Sequence, residues 1–168
     1  MKDPFSRFAV RLTAALLLGL GLLLLHGHGG AVGQLFAPVC ASPWEMSKLF
    51  YWPSLAVLLL TAGLSGGMKK TFCAAAPSLA VTPLALCLVL WAVSPVTERA
   101  GVTLVAWVTA TVIGLALANQ ERISRRRAVW LVLAAAVGAA YLLFTLFPPA
   151  AGPFLDPADA AAAAVIPY

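Results

Sequence analysis

The sequence predicts an all-α fold, an integral membrane bundle of five transmembrane helices. Of its 168 residues, 62% are hydrophobic and 10% are charged, a balance that an ordinary soluble surface does not allow, so lipid must be the main solvent. Five stretches are apolar and long enough, at about 20 residues each, to cross a hydrocarbon core. Nearly every charged residue falls in the short segments between them. Little chain remains outside the spans, so no soluble domain fits and residues 1–168 read as a single membrane domain.

The first span is expected at 9–25, where Lys2, Arg7 and Arg11 precede the apolar run from Leu12 to Leu25. That arrangement also suits a signal peptide, whose cleavage would leave four spans. His26-Gly27-His28-Gly29-Gly30 is a poor small-x-small cleavage site, so the reading keeps the span. Arg11 sits in the first turns and can snorkel.

Residues 26–43 form a loop, and the second span follows at 44–66. Ser42 suits an N-cap, Pro43 the first helical position, and Glu45, three residues after Ser42, completes a capping box. Glu45 also suits the positive end of the helix dipole. Lys48 falls on the same face within reach of an ion pair. Trp44, Tyr51 and Trp52 suit the headgroup zone.

The third span, 71–93, contains Pro77 and Pro83, each of which removes a backbone donor and predicts a bend or local unwinding. Broken helices build transporter sites when paired in internal repeats, but no second half of this chain mirrors the first. Cys73 and Cys87 read as small packing residues in this span, and Cys40 lies in the first loop, so no structural disulfide is expected.

The fourth span, 101–119, places Thr103, Trp107, Thr111, Gly114 and Ala118 on one face. The fifth, 128–147, does the same with Ala134, Gly138, Tyr141 and Thr145. Small and weakly polar faces pack helices together in lipid, so these two should meet each other or the third span. No span carries an ionisable residue at mid-depth, which disfavours proton-coupled transport through one chain. The tail, 148–168, combines prolines with the run Ala160 to Ala164 and should be extended or form a short surface helix.

Charge sets the orientation. Alternating crossings put Lys2, Arg7, Arg11, Lys69, Lys70, Arg122, Arg125, Arg126 and Arg127 on one side, with only Lys48 and Arg99 on the other. Cytoplasmic loops hold the Lys and Arg excess, which puts the amino terminus inside and the carboxyl terminus outside. Arg122 to Arg127 should touch cytoplasmic headgroups. Membrane lipids, and a protein within the bilayer, are the expected partners; nucleic acid is not, because the basic charge tracks topology.

Candidate chemistry gathers on the outer side. Glu45, Lys48 and His26 are the catalytic candidates, since general acid-base work needs such groups around one substrate position. His26, His28 and Cys40 are the metal-binding candidates, as ligands for a soft or borderline divalent ion. His-x-His alone is not an established zinc spacing, and the glycines around it predict a loop that must order before it binds. No motif implies a cofactor.

Leu35-Phe36-Ala37-Pro38-Val39, followed by Trp44-Glu45, Lys48 and Pro53, resembles the hallmark of a family of small multi-pass bacterial membrane proteins defined as a domain of unknown function. Phe144-Thr145-Leu146-Phe147-Pro148-Pro149 with Pro153-Phe154-Leu155-Asp156-Pro157 is similar to that family's carboxyl-terminal motif. The resemblance implies the five-helix fold and a bacterial cytoplasmic membrane, but no activity. Family members usually carry Asn-Glu ahead of the Ser-x-Trp-Glu stretch and a His after it, where this chain has Cys40-Ala41 and Met46. A carboxylate and an imidazole are thereby lost from the loop.

Three functions are compatible with these features. The first is a noncatalytic membrane subunit or scaffold. The second is a carrier or channel for a small neutral or lipidic solute, which requires the Thr111 and Tyr141 faces to border a cavity. The third is an outer-interface membrane enzyme built on Glu45, His26 and Lys48.

Overall fold

The structure, a computed structural model, describes residues 4–26, 30–65, 67–93, 100–118 and 127–156. Among them the chain forms helices α1 (Pro4–Leu24), α2 (Gly30–Phe36), α3 (Pro43–Ser65), α4 (Met68–Val93), α5 (Ala100–Ala118) and α6 (Arg127–Leu146), then a 3-10 turn at Gly152–Phe154. Five of these helices, all but α2, are long and apolar enough to cross a membrane. The all-α bundle is the predicted one. The first crossing begins at Phe5, earlier than expected, so Arg7 and Arg11 both lie on the helix.

α2 falls where the sequence predicts only loop. It spans 7 residues, too few to leave a readable periodicity, and it is held by packing rather than propensity. Phe36 sets its ring edge-on to Trp52 of α3, with centroids 5.0 Å apart, and the helix rests against α6.

α3 and α4 form the centre. Of their membrane windows, 56% and 67% of residues are buried, against 11%, 28% and 22% for α1, α5 and α6. α4 packs on α3, α5 and α6, while α1 lies across α3 and α5. The outer helices therefore turn apolar side chains such as Leu17, Val105 and Val132 away from the bundle.

Of the bend or local unwinding expected at Pro77 and Pro83, the unwinding does not occur: α4 runs through both prolines without interruption. Membrane bundles tolerate such prolines when neighbours satisfy the backbone groups they release. Pro53 of α3 shows how. A proline there leaves the Leu49 carbonyl without its usual helical donor, and the Trp107 indole of α5 donates to that oxygen at 2.9 Å. Separately, Ser78 of α4 donates across to the Gly114 carbonyl of α5 at 2.6 Å and ties those two helices together.

The small-residue faces of α5 and α6 meet the third span, α4, as expected, and both also receive rings from α3. A Cβ at Gly114 would lie 2.6 Å from the Phe50 ring, and one at Gly138 would lie 2.5 Å from the Tyr51 hydroxyl. The physical reason is size: α3 directs large rings sideways, and only a glycine on the facing helix lets the backbones approach. α1 repeats the device, since a Cβ at Gly19 would run into the Trp107 ring. Cys73 and Cys87 are buried packing residues, Cys40 is partly exposed, and all three are free thiols.

Gly138→Ala should push Tyr51 away from the Ala134 carbonyl, which its hydroxyl reaches at 2.8 Å, and should destabilise the bundle by roughly 1–3 kcal/mol. Gly63→Ala adds a Cβ that meets nothing within 4 Å and should be neutral or stabilise by up to about 1 kcal/mol. Thermal unfolding of the purified variants in micelles distinguishes the two effects.

Candidate functional site

α1 finishes, α3 begins and α6 finishes at the same end of the bundle, and the candidate residues lie there. Ser42 caps α3 as expected: its hydroxyl accepts the Glu45 N–H at 3.3 Å, and its carbonyl receives the first helical bond, from Met46, at 3.0 Å. The other half of the capping box is rerouted. The Glu45 carboxylate reaches the Val39 N–H through Oε2 at 3.0 Å, fastening the incoming loop to the helix instead of closing on Ser42.

Lys48 forms the expected ion pair. Its ammonium donates to Glu45 Oε2 at 2.6 Å and to the Thr145 hydroxyl of α6 at 2.5 Å. Thr145 in turn donates to the Tyr141 carbonyl at 2.6 Å. Lys48 has 0% of its surface exposed and Glu45 6%, so the pair is a buried one. A buried ion pair survives desolvation only with good geometry and further hydrogen bonds; Val39 and Thr145 supply those bonds.

Beside the pair, Ser47 donates to the Trp44 carbonyl at 2.7 Å, and its oxygen lies 2.6 Å from the Tyr141 hydroxyl. Tyr141 is wholly covered. Trp44 stacks between it, at 4.7 Å, and Phe154 of the tail, at 5.0 Å. Trp44 and Tyr51 are therefore core residues, 7% and 4% exposed, rather than members of a headgroup belt. Centrality of α3 is the cause, because α6 and the tail cover the positions that would otherwise meet lipid heads. Trp52 is half-buried against Phe36.

His26 joins this network indirectly. Its Nδ1 lies 3.0 Å from the Pro38 carbonyl and donates to it, while the N–H of the same peptide unit is the one held by Glu45. That bond is not cis, and the C=O and N–H of a trans peptide point in opposite directions. His26 and Glu45 thus grip one peptide from its two edges and do not converge on a common point. With Oε2 shared by two donors and Lys48 covered, the three catalytic candidates form a strut from the end of α1 through α3 to α6.

The metal candidates are not assembled among the described residues, where no group of three His, Cys, Asp or Glu could hold an ion. His28 lies outside those residues, and Cys40 is partly exposed in the loop.

The tail completes this end of the bundle. It adopts the 3-10 turn Gly152–Phe154, and the expected run Ala160 to Ala164 lies outside the described residues. Phe154 packs 5.1 Å from Phe144, and Asp156 Oδ2 accepts the Ala41 N–H at 3.1 Å. The two segments that carry the family resemblance, far apart in sequence, therefore meet here: Trp44 with Phe144 and Phe154, and Lys48 with Thr145. Thr145 and Tyr141 were visible beforehand as a polar stripe, but nothing in the sequence pointed them at Lys48 and Ser47.

Fold and site together define a multi-pass membrane protein whose polar residues are tied to one another at one end of the bundle. Comparison of the chain with protein-family models, with curated proteins and with solved structures finds no match in any of the three.

Lys48→Met leaves the Glu45 carboxylate buried without its cation and should cost roughly 3–5 kcal/mol. The double variant Lys48→Met with Glu45→Gln should recover part of that loss. Unfolding of the two singles and the double in micelles gives the coupling directly.

Proposed function

We propose that this chain is a noncatalytic subunit or scaffold of the bacterial cytoplasmic membrane. The observation that carries the reading is the internal use of its polar groups. Glu45 and Lys48 are taken up by each other, Val39 and Thr145, and Thr111 donates to the Trp107 carbonyl of its own helix. The faces that a carrier would turn toward a cavity are filled: Gly114 receives the Phe50 ring, and Tyr141 is covered. An enzyme would need an acid or base able to reach substrate, and Glu45 and Lys48 are buried in the strut.

What the chain does offer outward is apolar surface on α1, α5 and α6, suited to lipid and to the helices of another membrane protein. The bacterial cytoplasmic membrane is the place implied by the resemblance of the loop and tail motifs to a family of small bacterial membrane proteins, which itself implies no activity.

The proposed orientation has the amino terminus in the cytoplasm and the strut end outside, by the Lys and Arg excess at the opposite end. Lys48 is the main cation on the outer side of the described chain, and it is neutralised by Glu45.

Native mass spectrometry of the tagged protein, extracted mildly from its own membrane, should show a second protein in fixed stoichiometry. Transport or turnover by the purified chain alone in liposomes would instead sink the scaffold reading. Orientation has its own check, because Cys40 is partly exposed while Cys73 and Cys87 are buried. A membrane-impermeant maleimide should label Cys40 in intact cells; labelling that needs permeabilisation would reverse the topology.

A further inference from the structure

One side of α3 changes its neighbour part-way along the helix. At 3.6 residues per turn, Glu45, Trp52, Leu59 and Gly63 fall on that side. Beyond Trp52 it is open: Leu59, Leu60, Gly63 and Leu64 are exposed within the membrane crossing Pro43–Leu64. Toward the strut end it is covered. Val39 donates its N–H to Glu45, Phe36 sets its ring edge-on to Trp52, and Ala37 and Pro38 between them are buried. Where α3 meets lipid at Leu59 and Leu60, it meets the chain's own Phe36 and Val39 at Trp52 and Glu45.

The same register gives a depth. Trp52 lies about 13 Å along the helix axis from Pro43, and its side chain, leaning back toward the start of the helix, recovers only part of that distance. The end of α2 therefore lies beside α3 within the crossing, not over the end of the bundle, and α2 rests against α6 as well. Its chemistry agrees with that place. Residues 26–43 contain no Asp, Glu, Lys or Arg. Gly30 and Gln34, one turn apart on α2, are exposed. Phe36, on the side of the helix opposite Gln34, is still 40% exposed beyond what Trp52 covers.

We propose that α2 is an interfacial helix embedded in the leaflet at the strut end, and that the partner of its surface is lipid, with Phe36 against acyl chains and Gln34 toward headgroups. Helices that lie in this zone bury their apolar face roughly 5–10 Å into the headgroup and acyl boundary. An uncharged segment with an aromatic ring on one side and an amide on the other matches such a boundary. The surface that α2 presents also continues the lipid-facing side of α3 at Leu59 and Leu60. The proposal rests neither on the orientation nor on the subunit reading.

Photolabelling tests it on the unaltered chain, so no variant has to fold. The protein is placed in phosphatidylcholine vesicles doped with a phosphatidylcholine that carries a light-activated carbene precursor on one acyl chain, and adducts are mapped by mass spectrometry. Leu59 and Leu60 are the lipid-facing reference. Adducts within residues 30–36 should reach within about threefold of that reference, and should be strongest when the precursor sits near the ester end of the chain. Labelled Leu59 and Leu60 with no adduct within residues 30–36 would overturn the embedded helix. The same lipid is then introduced into the protein's own membrane. If the adducts of residues 30–36 disappear there while those of Leu59 and Leu60 persist, another protein covers α2, and lipid is not its partner.

Discussion

The structure depends on keeping one ammonium group charged and fully satisfied at the start of a central membrane helix. Lys48 has no exposed surface, and taking an ion out of water costs several kcal/mol unless partners replace the lost hydration. Glu45 and Thr145 are those partners, and satisfying them fixes more than one bond. Glu45 can face Lys48 only if it leaves the capping box, which draws Val39 in. Thr145 can face Lys48 only if α6 ends beside the start of α3. The ion pair thereby sets the register of loop, central helix and last helix together.

Below that level the same rule operates with weaker groups. In lipid a released carbonyl has no water to turn to, so the Leu49 oxygen freed by Pro53 is taken by the Trp107 indole. Ser78 and Tyr51 also donate to carbonyls on neighbouring helices. The aromatic rings need room, and Gly19, Gly114 and Gly138 supply it where Trp107, Phe50 and Tyr51 arrive. Glycine placement and hydrogen bonding are therefore two parts of one packing solution.

Part of the site was legible in the chain. The Ser42 cap and the Glu45–Lys48 pair are local, set by helical spacing within two turns, and both appear in the structure. The rerouting of Glu45 to Val39 was not legible, because a capping box and a loop clamp require the same residue at the same position. The inward turn of Trp44 and Tyr51 was hidden for a different reason. An aromatic near a helix end suits the headgroup zone when its helix is peripheral and the core when it is central, and centrality is not a local property.

The sequence by itself determined that the chain lives in lipid, that it has five helices able to cross it, and where those helices lie to within a few residues. These are consequences of composition summed along short windows, which hydration energetics convert directly into position. Only the tertiary structure decided which helices are central, which rings meet which glycines, and that Thr145 and Phe154 belong with Lys48 and Trp44. In water an apolar stripe announces the buried face of a helix; in lipid both faces are apolar, so the choice of neighbour leaves no such mark.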